Sequence, residues 1–225
     1  MPKPPPRSVN VVMRALARAV GELELPAVEK IAEASREDPF DVLIATMLSA
    51  QTRDPVTAAA TGRLFEVART PRTIARLTEK RIARLIYPVS FYRNKAAHVR
   101  EACRLLVERF DGRVPGTMDE LLTLPGVGRK TANLVLILSF RSAKNICVDT
   151  HVHRISNRLG WVRTRTPEQT EQALYAATQR RWWPYINLYL VTWGQNVCKP
   201  TYPRCGGCAI RAHCRRIGVE RESRR

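Results

Sequence analysis

Signals for β-strands are nearly absent from this chain and helix-opening signals recur along it, so the sequence permits an all-α fold and little else. Asp38 precedes Pro39 and then Val42, Leu43, Ala45, Met47 and Leu48, which reads as a side-chain cap, a proline in the first turn and an apolar helix. Asp54-Pro55 opens a helix through Ala59, Leu64 and Val67; Thr70-Pro71 and Thr78 open two short ones, the second with Ile82, Leu85 and Ile86. Further helices are expected from Asn10 to Leu23, from Asn94 to Phe110 with Asp111-Gly112 as its stop, from Thr117 to Leu124, after Gly128, from Asp149 to Gly160, from Pro167 to Gln179 and from Pro184 to Val197. No internal repeat is visible.

At 225 residues the chain can bury a core without disulfide staples, and 44% hydrophobic against 26% charged residues argues against disorder. No apolar run reaches transmembrane length, so no membrane partner is expected. The start, Met1-Pro2-Lys3-Pro4-Pro5-Pro6-Arg7, reads as a flexible leader over residues 1–7; it lacks the apolar stretch of a secretory signal, and an intracellular protein is expected. Lys and Arg number 38 against 20 Asp and Glu, a formal net charge of +18, which directs the chain towards polyanions, nucleic acid first.

Four of the six cysteines fall within 17 residues, as Cys198-x6-Cys205-x2-Cys208-x5-Cys214. One dense cluster on a cysteine-poor body indicates a metal site in a reducing compartment. Four thiolates can hold tetrahedral zinc or a cubane iron–sulfur cluster; the single x2 knuckle in one small loop suits the cubane better. The loop is basic, and Lys199 and Arg204 are placed to meet phosphates.

Between Leu121 and Val135 two helices are joined by Pro125-Gly126-Val127-Gly128. Glycines in such a turn allow positive φ and close approach of another backbone, and the following helix offers the positive end of its dipole to a phosphate oxygen. Contacts of that kind hold a nucleic-acid backbone and read no sequence. Lys130 follows two residues after Gly128, one of seven lysines among 31 arginines. A positive helix end and partial burial would favour its neutral, nucleophilic form; a plain phosphate-binding cation is the equal alternative.

Leu-Pro-Gly-Val-Gly-Arg-Lys-Thr-Ala at 124–132, Val-Asp-Thr-His at 148–151 and the 6-2-5 cysteine spacing resemble endonuclease III, the bifunctional glycosylase and abasic-site lyase branch of the helix–hairpin–helix superfamily. Leu48-Ser-Ala-Gln-Thr-Arg-Asp54 is similar to another segment of that family, and the resemblance runs from about residue 30 to Cys214. It implies that Lys130 attacks the sugar C1′, that Asp149 is the catalytic aspartate, and that Cys198, Cys205, Cys208 and Cys214 hold a [4Fe–4S] cluster. It implies that Gln51 fills the hole left by an extruded base, that Phe91 is an apolar wedge, and that Gly126, Val127, Gly128 and Arg129 lie against DNA. Ser90 stands where the family commonly has glycine. Cys147 is expected in the core, and His151 and His153, two residues apart, do not pair on a metal. The implied domains are a six-helix domain at 32–142 and a cluster domain made of 8–31 with 143–225. The implied partner is double-stranded DNA carrying damaged pyrimidines or abasic sites, bound by a monomer. A monofunctional mismatch glycosylase and a non-catalytic DNA-binding module are the rivals; lysine at 130, where the mismatch thymine and adenine branches carry tyrosine and serine, points to the lyase branch.

Overall fold

The computed structural model describes residues 8–223; the expected leader at 1–7 lies outside them. The described residues hold α1 (Ser8–Ala19), α2 (Ala27–Ala34), α3 (Pro39–Ser49), α4 (Asp54–Val67), α5 (Pro71–Ala75), α6 (Glu79–Ile86), α7 (Tyr92–Phe110), α8 (Met118–Leu122), α9 (Arg129–Leu138), α10 (Thr150–Leu159), α11 (Pro167–Ala177) and α12 (Trp183–Asn196), with no strand among them. No helix of the described residues is long and apolar enough to cross a membrane. The chain divides into two compact units, one from Ala27 to Ser142, the other formed by the residues up to Pro26 with those from Ala143 onward.

α3 is the centre of the 27–142 unit. The Asp38 carboxylate accepts from the N–H groups of Phe40 and Asp41 at 2.9 and 3.0 Å, and Pro39 supplies the first turn. Every residue from Phe40 to Leu48 is then buried, as expected of a helix apolar on all sides. The one charge in that stretch, Asp41, is matched by Arg69 at 2.5 Å. α2, α4, α7 and α9 pack around α3. α7 turns Ala96, Val99, Ala102, Cys103 and Leu106 inward, one stripe at helical spacing, and closes on α5 and α6.

Two expectations are corrected. The helix from Asn10 towards Leu23 ends at Ala19 and tightens into a 3-10 turn at Val20–Glu22. The expected domain boundary at 31/32 falls inside α2, which packs on α3 and α4 and whose first N–H, on Ala27, donates to Asp54 Oδ2 at 2.9 Å. Eight residues with a buried glutamate show too little apolar stripe to announce a helix.

In the other unit Val9, Val12, Met13 and Leu16 of α1 meet Val152, Ile155 and Leu159 of α10, Leu174 of α11, and Ile186, Leu190 and Val191 of α12. Each such side chain is worth about 1.5–3 kcal/mol on full burial. Cys147 is buried here, and Trp182 and Trp183 pack against the same core. The Trp182 indole N–H donates to Asn10 Oδ1 at 2.7 Å, which anchors the start of α1.

In the 27–142 unit the buried Glu29 of α2 opposes folding. Burial first, and the charge of Glu33 one turn on, push its carboxyl up to about 7. A carboxyl raised on folding binds its proton more tightly in the native chain, so its contribution is full below the unfolded value and is lost as pH rises from about 4.5 to about 7. Glu29→Gln should therefore raise stability at pH 8 by about 2–3 kcal/mol and leave it nearly unchanged at pH 4, read from urea unfolding at the two pH values. Equal effects at both would mean that Glu29 does not titrate in this way.

Candidate functional site

The turn between α8 and α9 uses its two glycines differently. Gly126 holds φ +78°, and a Cβ there would come within 2.9 Å of His98 Cβ, so the fold itself requires glycine. Gly128 is extended at φ −101° and ψ 178°, caps α9 with no side-chain bond, and a Cβ on it would meet nothing within 4 Å. Nothing inside the protein asks for glycine at 128. Val127, expected against DNA with its neighbours, faces the core instead, and its N–H donates to Leu124 O at 3.1 Å. Arg129 is exposed and Lys130 half-buried in the first turn of α9.

Among the described residues, six non-glycine positions of the same unit take left-handed backbone, Arg36, Glu37, Asp111 and Arg141 among them, and two of the six are Gln51 and Phe91. Gln51, exposed between α3 and α4, has φ 54°; Phe91, at the start of α7, has φ 56° and is 65% exposed. Such conformations persist where the surroundings over-determine them and gather at functional sites. Here the surroundings include Lys95, whose Nζ donates to Leu48 O, Ala50 O and Thr52 Oγ1. Ser90 N–H donates to Thr52 Oγ1 at 3.2 Å, a bond that serine at this position can make as glycine could. Burial, and then the charge of Lys130, push the Lys95 amine down to about 8. Neither composition nor motif pointed to Lys95; its side chain matters through acceptors that only the folded chain assembles.

In the other unit Asp149 caps α10. Its Oδ1 accepts from His151 N–H and Val152 N–H, both at 2.9 Å, while Oδ2 lies outside the cap. His151 packs on Gly194, where a Cβ would come within 2.4 Å of its ring, and His153 bonds to Thr170 Oγ1 at 2.6 Å, so the two imidazoles serve separate contacts.

Cys198, Cys205, Cys208 and Cys214 carry free thiols and line one cavity, walled by Ile155, Leu159, Trp193 and Ile210. Among the described residues no three Cys, His, Asp or Glu side chains are gathered as the ligands of a single ion. A cubane takes one thiolate on each of its four irons, and four thiols around one cavity are that donor set. Burial raises Cys205, Cys208 and Cys214, and their mutual charge adds to it, so four thiolates require a compensating cation. N–H groups already favour the anions: Ile210 and Trp193 act on Cys208, Arg216 acts on Cys214, and Arg158 Nη1 donates to Cys198 Sγ at 3.4 Å. The buried Trp193 indole N–H has no nitrogen or oxygen acceptor and is turned to the Cys208 sulfur. The residues fit a four-thiolate cluster. Lys199 and Arg204 stand exposed on the loop.

A family model described as HhH-GPD superfamily base excision DNA repair protein matches residues 44–180. Endonuclease III of Thermotoga maritima is 51% identical over 177 residues, 79% of this chain and 83% of that protein. The chloroplastic endonuclease III homolog 2 of Arabidopsis thaliana is 45% identical over 187 residues, 80% of this chain and 48% of that protein, so the chain spans about half the plant protein's length. A solved structure of a trapped endonuclease III–DNA covalent intermediate superposes with a TM-score of 0.82 at 32% identity, over 93% of this chain and 95% of that one.

Proposed function

This chain belongs to the endonuclease III family of the HhH-GPD superfamily, and on that premise we propose how its residues divide the work. It is a base excision repair DNA glycosylase and abasic-site lyase, and it binds DNA. We infer that its substrates are duplexes carrying oxidised pyrimidines or abasic sites. The observation that carries the lyase assignment is a half-buried lysine, Lys130, in the first turn of α9 behind a glycine that the protein's own packing does not require.

The hairpin holds the DNA backbone. Open space at Gly128 lets a phosphate approach the positive end of α9, with Arg129 exposed beside it. The damaged nucleotide leaves the stack, since its C1′ is out of reach within it. Gln51 and Phe91 enter the duplex in its place. The Lys130 amine attacks C1′, the glycosidic bond breaks, and the base leaves with a proton. Opening of the sugar ring gives an iminium. Loss of a C2′ proton then expels the 3′ phosphate, and water releases Lys130. Asp149 supports positive charge at the sugar and assists the proton transfers. Cys198, Cys205, Cys208 and Cys214 would hold a [4Fe–4S] cluster, which braces their loop and so presents Lys199 and Arg204 to phosphates.

A single-turnover panel on thymine glycol, uracil mismatch and abasic duplexes tests this reading. Base release with strand nicking on thymine glycol and nicking on abasic DNA are expected from a preparation carrying about four irons per chain. Mismatch excision without nicking would select the monofunctional branch, and binding without either reaction the non-catalytic module. Stoichiometric zinc without iron would overturn the cluster assignment.

A further inference from the structure

Lys95 stands four residues past Phe91 in α7. An ammonium has three N–H donors, and all three are engaged here: Leu48 O at 2.8 Å, Ala50 O at 2.6 Å and Thr52 Oγ1 at 3.3 Å. Every acceptor belongs to the segment 48–52, whose exposed members are Ala50 and Gln51, the latter in left-handed backbone. Thr52 Oγ1 also receives the N–H of Ser90, the residue before Phe91. One ammonium and one hydroxyl thus join the two loops.

We infer that Lys95 is a positioning residue for base extrusion: it fixes the loop of Gln51 to the root of the loop of Phe91, so that both side chains enter the duplex in a set relation. This rests on the proposed insertion of Gln51 and Phe91. Lys95 is half-buried among neutral acceptors, and the charge that most affects its titration is the like charge of Lys130. Burying a cation that way costs stability, whereas methionine would fill much of the same volume without a charge. Two acceptors, Leu48 O and Ala50 O, lie at the C-terminal end of α3, where a cation is also favourable simply as a cap. A cap predicts lost stability; a positioning role predicts lost duplex chemistry.

The test compares Lys95→Met, Gln51→Ala and the double variant with the wild-type protein. Four quantities are measured: single-turnover excision of thymine glycol from a duplex, nicking of an abasic site in a single strand, the rise in fluorescence of a 2-aminopurine beside the lesion as its stack opens, and the melting temperature. Lys95→Met should slow duplex excision by roughly 10²-fold, the loss that a small misplacement brings. The ratio of duplex to single-strand rates should fall with it, because a single strand has no stack to open, and the 2-aminopurine signal should be delayed. The double variant should lose less than the product of the two single losses, since Lys95 acts in part through Gln51. Lys95→Arg, which keeps the cation and several donors, should recover part of the rate. Equal losses on duplex and single strand, additive losses at Gln51 and Lys95, or a lowered melting temperature with the wild-type duplex rate would each overturn the proposal. If Lys95→Met does not fold, Lys95→Gln takes its place. Wild-type protein that releases no base and nicks no DNA would instead defeat the glycosylase reading, and the 2-aminopurine signal on binding would still report insertion.

Discussion

Lys130→Gln should give no covalent adduct when borohydride is added to the protein with abasic or thymine-glycol DNA, and should lose both base release and nicking. The amide keeps polarity and most of the length in the first turn of α9, where Lys130 is only half-buried, so folding and lesion binding should persist. What it lacks is a lone pair able to form an imine, and the reaction has no second covalent route. Removing a covalent nucleophile typically costs on the order of 10⁴–10⁶ in rate, which puts turnover at the background of the assay. The substitution also removes the like charge acting on Lys95, whose amine should rise somewhat above about 8 while burial, the larger cause, still holds it below the ordinary lysine range. An NMR titration of the Lys95 side chain can follow this independently of activity. Adduct formation at the wild-type level would move the nucleophile to another amine, and Lys95 would be the first to examine.

Much of this arrangement is legible in the sequence because helix starts depend on local chemistry. Asp38-Pro39, Thr70-Pro71 and Thr78 each cap the helix they announce, by bonds that span three residues or fewer. The cysteine spacing and the Pro-Gly-Val-Gly turn are also local, and they locate the four-cysteine loop and the hairpin. What escapes is set by partners far along the chain. α2 is held by α3 and by Asp54, 27 residues on from the N–H it accepts. Gln51 and Phe91 take left-handed backbone although neither is glycine or asparagine, and no pattern around them signals it. The side-chain bonds beside them come from Lys95 and Thr52, which lie 43 residues apart in sequence. The two hairpin glycines look alike as letters, yet one is required by His98 and the other by nothing within the fold. Val127 sits in the motif but is spent on the core. Motif membership therefore does not tell which hairpin side chains face out, and it misses the lysine that bonds to the segment 48–52.

Asp149→Asn should separate two roles that one carboxylate fills. Both cap bonds reach Oδ1, from His151 and Val152, and an asparagine carbonyl oxygen can accept the same two. Asn caps about as well as Asp, so α10 should form and the melting temperature should hold. Oδ2 is free of the cap, and it is the charge shared by the two oxygens that the amide cannot supply. If that charge supports the developing cation at the sugar and takes part in proton transfer, single-turnover excision should fall by ~10²–10⁴, the usual worth of such assistance. Binding to a lesion duplex should change little, because nothing in the cap is lost. Borohydride trapping on abasic DNA should slow but still reach a covalent adduct, since Lys130 is intact. A lowered melting temperature with a matching loss of rate would make the defect structural, and the wild-type rate at unchanged stability would leave Asp149 as a helix cap alone.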